Sequence, residues 1–264
     1  MGILNITPDS FSDGGKYFDG KVLIEKVIGD AIKMEIEGAD FLDIGGESTR
    51  PGAEEISLDE ELERVVPVIS QLKRHIRIPI SIDTYKSRVA EEALKSGAEI
   101  VNDISGFKFD NGIAEVTAKY KATCILMHIK GTPKNMQVNP FYEDVVEEVF
   151  NYLMESISIA KGYSIQQIIT DAGIGFGKTL EHNLALISNL MRFKDLGYPI
   201  ILGVSRKSFI NKIYTAKENE RLEGTIAANV IGILNGANII RVHDVLENKR
   251  AVLVVNKLSG KFNS

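Results

Sequence analysis

Glu37-Gly38-Ala39-Asp40-Phe41-Leu42-Asp43-Ile44 contains the joint from which the whole chain is built: the end of a helical pattern, a glycine, then an apolar run too short to be another helix. A glycine just past a helix suits the left-handed C-terminal cap, after which the chain enters a strand. The joint returns as Ser96-Gly97-Ala98-Glu99 before Ile100-Val101-Asn102, and as Asn235-Gly236-Ala237-Asn238 before Ile239-Ile240-Arg241-Val242. Lys161-Gly162-Tyr163 and Leu196-Gly197-Tyr198 take the same place before Ile168-Ile169-Thr170-Asp171 and Ile200-Ile201-Leu202-Gly203. With Gly2-Ile3-Leu4-Asn5, Ile78-Pro79-Ile80-Ser81-Ile82-Asp83 and Thr123-Cys124-Ile125-Leu126-Met127-His128, the chain offers eight short apolar strands, each followed by a helical pattern. Strands apolar on both faces that alternate with helices imply a parallel sheet, and eight units favour closure into a (β/α)8 TIM barrel over a doubly wound sheet.

The helical patterns are periodic. Val22, Leu23, Val27, Ile28, Ala31 and Ile32 predict a helix from about Lys21 to Glu37. Ser57-Leu58-Asp59-Glu60 reads as a capping box, and Leu58, Leu62, Val65, Val66, Ile69 and Leu72 then follow one face. Val146, Val149, Phe150, Leu153, Ile157 and Ala160 do the same later. No linker or low-complexity tract divides the 264 residues, so they are expected to form a single domain.

Composition narrows the function classes. A quarter of the residues are charged and 44% are apolar, which supports a large core. The net charge of −5 opposes a general nucleic-acid surface, so any anion site must be local. Cys124, the single cysteine, lies in an apolar run and reads as a small hydrophobe in a reducing cytoplasm. No apolar run approaches membrane-spanning length, the N-terminus lacks a signal-peptide pattern, and Ile6 stands where a myristoylation motif needs Ser or Thr.

In a parallel barrel the C-terminal ends of the strands line one mouth, where chemistry is placed. Those ends are Asn5, Asp43, Asp83, Asn102, Met127-His128, Asp171, Ser205-Arg206-Lys207 and Arg241-Val242-His243. Acceptors come from the earlier strands and cations from the last two, which suggests a donor-rich ring on one side and an anion on the other. Taken singly, each has a plainer reading: a strand-end Asn or Asp is more often a cap than a ligand. Asp43 is expected to be structural, His128 a loop contact, His75 and His182 surface residues, and Lys178 a solvent-facing helix residue. Ala172 to Thr179 fits a permissive phosphate-loop pattern, but Asp171 would set a carboxylate against the phosphates, and the Gly173, Gly175, Gly177 spacing is not that of a dinucleotide turn.

Two segments, Asn5-Ile6-Thr7-Pro8-Asp9-Ser10-Phe11-Ser12-Asp13-Gly14-Gly15 and Asp43-Ile44-Gly45-Gly46-Glu47-Ser48-Thr49-Arg50-Pro51-Gly52, resemble the two signatures of the dihydropteroate synthase family. Further similar pieces, from Ser81-Ile82-Asp83-Thr84 to Arg241-Val242-His243-Asp244-Val245, follow in the expected order over nearly the whole chain. The resemblance implies a pterin-binding barrel, usually a homodimer, that joins para-aminobenzoate to hydroxymethyl-dihydropterin diphosphate with Mg2+ and releases pyrophosphate. It implies that Asp83, Asn102, Asp171 and Lys207 hold the pterin, with Ile104, Met127, Phe176 and Gly203 lining its pocket. Asn5 would serve the metal, and Thr49, Arg241, Val242 and His243 the diphosphate end. Arg50, Pro51, Lys207 and Ser208 would receive the aminobenzoate, with Phe11 and Asp13 closing over it, and Lys207, Arg241, His243 and Asp83 would carry the catalytic burden. Two departures stand out: Ala172 replaces the usual Pro, and the chain begins directly on the first strand, which predicts a less covered barrel floor.

These residue types suit the reaction. A reduced pterin presents a guanidine-like edge of N–H donors that a buried carboxylate accepts in parallel. Leaving-group departure makes positive charge on the pterin and negative charge on the diphosphate, so fixed charges and positioning can carry the rate without a strong base. The aminobenzoate carboxylate is expected at Ser208, and the first two loops to order once the diphosphate arrives. A pterin-dependent methyltransferase would have no need of Arg50-Pro51 or Ser205-Arg206-Lys207-Ser208, and a non-catalytic pterin-binding barrel, which needs no diphosphate seat, would not require Asn5, Arg241 and His243.

Overall fold

The computed structural model describes residues 1–7, 17 and 22–260. Eight parallel strands follow in sheet order, β1 (Gly2–Asn5), β2 (Leu42–Gly45), β3 (Ile80–Asp83), β4 (Ile100–Asp103), β5 (Thr123–Met127), β6 (Ile168–Asp171), β7 (Ile200–Leu202) and β8 (Ile239–Ile240). The ring closes where Gly2 bridges Val242 in parallel; Ile3 N–H donates to Val242 O at 3.0 Å and Val242 N–H to Met1 O at 2.9 Å. Between and after the strands run α1 (Ile24–Ile36), α2 (Leu58–His75), α3 (Ser87–Lys95), α4 (Gly112–Lys119), α5 (Val145–Gly162), α6 (Leu180–Ser188), α7 (Ser208–Ile213), α8 (Leu222–Leu234) and α9 (Val245–Leu258). The TIM barrel expected from the joints is therefore present.

The period of two along each strand divides the core. One set of side chains, including Leu4, Leu42, Ile44, Ile80, Ile82, Val101, Cys124 and Leu126, packs outward with the helices. The alternate set, Met1, Ile100, Ile125 and Ile201 with Phe41, Ile169 and Ile239, forms a separate inner cluster. Two residues further along those strands stand Asp43, Asn102, Met127, Asp171, Gly203 and Arg241. An apolar plug thus sits beneath a polar layer, and the mouth residues inherit their inward direction from it.

Local details depart from expectation at several points. Gly38, Gly97, Gly197 and Gly236 do take positive φ, but Gly162 ends α5 in ordinary helical geometry and Ser164 (φ 61°) makes the left-handed turn. Ser57 caps α2 by accepting from Glu60 N–H at 3.2 Å, yet the Glu60 carboxylate turns to Arg64 at 2.5 Å, so only half of the capping box forms. Leu58 stays exposed. His182 is a half-buried member of a different capping box, paired with Thr179.

Candidate active site

The mouth holds a cavity of about 650 Å³. Asn5, Thr49, Arg50, Pro51, Asp83, Phe176, Gly203, Lys207, Ser208, Arg241 and His243, all singled out from the sequence, line it. Asn102, Ile104, Met127 and Asp171 lie immediately behind the wall. Ile104 and Met127 pack with Met136 and Phe176, and a Cβ added to Gly203 would stand 4.0 Å from Asp171 Oδ2. Val242 needs correction. Strand parity that turns Arg241 and His243 inward turns Val242 into the outer core, and only its backbone serves, by closing the barrel. Phe11 and Asp13 lie outside the described residues.

The acceptor side and the cationic side are not segregated as the strand order suggested. Closure places β8 near β2 and β3, and Arg241 reaches across: Nε donates to Asp43 Oδ2 at 2.6 Å and Nη2 to Asp83 Oδ2 at 2.7 Å. Asn102 Nδ2 also donates to Asp43 Oδ2, at 3.1 Å. Asp43 is thus the fully buried support of this network, as its structural reading expected. Asp83 keeps Oδ1 buried without a hydrogen-bond partner. Loss of hydration pushes the Asp83 carboxyl up to about 7, against the opposing pull of Arg241. Burial likewise raises Asp171, whose Oδ1 accepts from Gly173 N–H at 2.7 Å.

Lys207 sits on the opposite wall. Its ammonium donates to Ile174 O and lies 4.6 Å from the centre of the Phe176 ring. Loss of hydration lowers it to about 8, resisted by Asp171. His243 Nδ1 lies 2.9 Å from Ser205 Oγ, which also accepts from His243 N–H at 3.2 Å, so one hydroxyl fixes both the backbone and the ring of His243. Burial, then Arg206, Arg241, Arg50 and Lys207, hold His243 well below the usual histidine range. Four cations converging on one neutral imidazole make a local anion seat in an acidic protein.

Several members escaped the sequence reading. Ser205 and Arg206 were placed at the mouth by strand order but carried no role of their own. Arg206 has φ 55°, a left-handed backbone held by its bond to Thr225 Oγ1 and by a two-point pair with Asp244 at 3.0 and 2.5 Å. Met136, in the connection after β5, carried no signal at all. Lys178 is corrected outright: it is fully buried, with Nζ 2.8 Å from His128 Nδ1, which also removes the phosphate-loop reading.

Among the described residues no group of three or more His, Cys, Asp or Glu side chains is placed to hold a metal. Asn5 nevertheless fits a magnesium ion that keeps waters and substrate oxygens. The Asn5 amide carbonyl is a hard oxygen in the cavity lining, the donor type magnesium takes; a Cβ on Gly45 would stand 3.5 Å from Asn5 Oδ1 and 3.9 Å from Asp83 Oδ2, which Arg241 already holds.

Comparison with known proteins agrees with this arrangement. The family described as pterin binding enzyme matches residues 1–243. The chain is 52% identical to the dihydropteroate synthase of Clostridium beijerinckii over 95% of its own length and 90% of the relative's. It is 44% identical to that of Escherichia coli K12, covering the whole chain and 93% of the relative. Among solved structures, the Yersinia pestis dihydropteroate synthase in a sulfonamide drug complex superposes with a TM-score of 0.94 at 39% identity, over 98% of this chain and 93% of that one. The Clostridium difficile dihydropteroate synthase determined in the presence of pteroic acid gives 0.89 at 45% identity, over 97% and 95%. The Thermus thermophilus enzyme in complex with 4-aminobenzoate gives 0.87 at 36%, over 98% and 93%. A barrel, a mouth built from the ends of its strands and these likenesses lead to one conclusion: the chain belongs to the pterin-binding enzyme family, within its dihydropteroate synthases, and is a transferase.

Proposed function

We propose that this chain condenses para-aminobenzoate with hydroxymethyl-dihydropterin diphosphate, giving dihydropteroate and pyrophosphate. The observation that carries the reading is the presence, in one cavity, of a buried unpartnered acceptor, Asp83 Oδ1, and a cationic seat, His243 with Arg50, Arg206, Arg241 and Lys207, with Arg241 joining the two through its bond to Asp83 Oδ2. Solved relatives with pteroic acid and with 4-aminobenzoate support the same substrates.

In this reading Asp83 Oδ1 and Asp171 accept N–H donors of the pterin edge while Asn102 reads a neighbouring position, and Phe176 faces the ring plane. Lys207 donates beside the ring. Arg241 and His243 bind the departing diphosphate oxygens, with Thr49 and Ser205 nearby. Asn5 would hold Mg2+, which when bound supplies further neutralisation of the diphosphate. As the C–O bond lengthens, the aspartates favour the developing pterin cation and the arylamine traps it, its carboxylate resting on Arg50, Pro51 and Ser208. The amine then sheds its proton to solvent, so the site needs no strong base. We place the reaction in the cytoplasm; no helix among the described residues is long and apolar enough to cross a membrane. We assign the assembly as a homodimer, for which the exposed Ile231 and Leu234 of α8 and Leu253 and Val254 of α9 offer an apolar face.

The deciding experiment measures magnesium-dependent pyrophosphate release. It is expected only when both substrates are present, and release indifferent to aminobenzoate would overturn the assignment. A pH profile adds a second check. Asp83 must be ionised to accept and Lys207 protonated to donate, so kcat/KM, corrected for substrate ionisation, is expected to rise through about pH 7 and fall past about pH 8. Lys207→Arg, which stays charged, should abolish the alkaline limb and keep the acid one. An alkaline limb unchanged in that variant would assign it to another group.

A further inference from the structure

The segment that carries Phe176 is held more firmly than its glycine content suggests. Gly173, Gly175 and Gly177 all have positive φ. A Cβ on Gly173 would stand 1.9 Å from His128 O, and one on Gly177 2.5 Å from Lys130 O, so the segment lies directly on the backbone that follows β5. Each of its four successive carbonyls accepts from a different side chain: Ile174 O from Lys207, Gly175 O from Gln137 at 2.6 Å, Phe176 O from Lys178 at 2.9 Å and Gly177 O from Tyr142 at 2.8 Å. Asn183 accepts from Gly175 N–H at 2.7 Å.

Within this set Lys178 is unusual. Lys178 is 1% exposed, and its Nζ bonds both Phe176 O and the ring of His128, itself wedged edge-on against Tyr152 at 4.7 Å. Burial holds the Lys178 amine well below the usual lysine range. Burying a polar nitrogen is costly, and a methionine of similar length would fill the same space without that cost. What the nitrogen adds is two directed bonds that join the end of β5 to the segment after β6. A ring attached to this segment can face a flat ligand only if the segment has one conformation, because ordering it on binding would reduce affinity.

We propose that Lys178 is a positioning residue: by tying the Phe176 carbonyl to the His128 imidazole it presets the Phe176 ring in the cavity wall and so sets affinity for the pterin ring. The inference rests on the function proposed above. The test is a calorimetric titration of the full-length enzyme and of Lys178→Met with a soluble pterin lacking the diphosphate, together with steady-state kinetics. Lys178→Met is expected to weaken the pterin Kd at least tenfold, leave the KM for aminobenzoate within twofold and lower kcat no more than threefold. Gln137→Ala, an exposed change at the neighbouring carbonyl, should weaken the pterin Kd two- to fivefold with the fold intact. A folded Lys178→Met with unchanged pterin Kd, or with both substrates affected alike, overturns the proposal. Should Lys178→Met not fold, an unchanged pterin Kd in Gln137→Ala overturns it. Failure of the parent enzyme to bind any pterin would instead sink the proposed function.

Discussion

Arg241→Met is expected to destabilise the protein by about 3–5 kcal/mol and to lower kcat/KM by about 10³-fold, with the stability deficit larger at pH 8 than at pH 5. The guanidinium is the common partner of Asp43 and Asp83, and its removal leaves two carboxylates in the barrel interior with only Asn102 as a side-chain donor to Asp43 Oδ2. The sign with pH follows from the raised carboxyl of Asp83, already at about 7 with Arg241 present. Without the guanidinium it rises further, so the folded state holds a proton that the unfolded chain releases above about pH 4. Stability carried by the protonated form is complete below that pH and is lost as pH climbs through the folded value. For a chain of this size the deficit at pH 8 corresponds to roughly 10 °C in Tm. Thermal unfolding at the two pH values decides the matter: a deficit independent of pH would mean that Arg241 stabilises by packing and not by charge. Adding Asp43→Asn to Arg241→Met should recover part of the loss.

Asp171→Asn is expected to do the reverse, damaging binding while sparing the fold. The amide keeps an oxygen for Gly173 N–H, so the turn after β6 persists. It also removes a carboxylate whose ionised form burial disfavours, so Tm should be unchanged or slightly higher. Toward a donor-rich ring, however, it offers an N–H where an acceptor is needed. Loss of a buried charge-paired contact of this kind costs about 2–5 kcal/mol, so the Kd for pterin diphosphate is expected to rise by roughly 30-fold or more with the KM for aminobenzoate little changed. Lys207 would lose the carboxylate that resists its lowered pKa, and the alkaline limb of the pH profile should move to lower pH. Equal losses for both substrates, or a fall of several degrees in Tm, would recast Asp171 as a core element. Lys207→Ala should share the affinity loss with little change in Tm.

Much of the fold was legible because its signals are local. Gly38, Gly97, Gly197 and Gly236 mark helix ends through a backbone conformation that other residues resist, and each apolar run that follows is too short to be a helix. The exception, Gly162, shows the limit: two residues later Ser164 could adopt the same conformation, so composition alone did not decide where the turn fell. The candidate site was legible to the extent that it lies at strand ends. Asn5, Asp83, Arg241 and His243 could be assigned to one rim from alternation and strand order.

Partnership within that rim was not legible. Asp43 and Arg241 stand 198 positions apart, and only barrel closure brings β8 close enough for one guanidinium to join two aspartates. Val242 shares a motif with its neighbours, yet the pleat sends it to the outer core. Lys178 follows a glycine-rich run that reads as surface, and its partner, the His128 ring, comes from the end of the neighbouring strand β5, 50 positions earlier in the chain.

The order of strands and helices, the single barrel and the identity of the mouth residues were determined by the sequence, because periodicity and glycine caps act over a few neighbouring residues. Which charges neutralise one another, which side chain lines the cavity and which lysine is buried were decided by the tertiary structure. Those outcomes depend on side-chain direction and on distances across a closed ring, and neither is written in the local pattern.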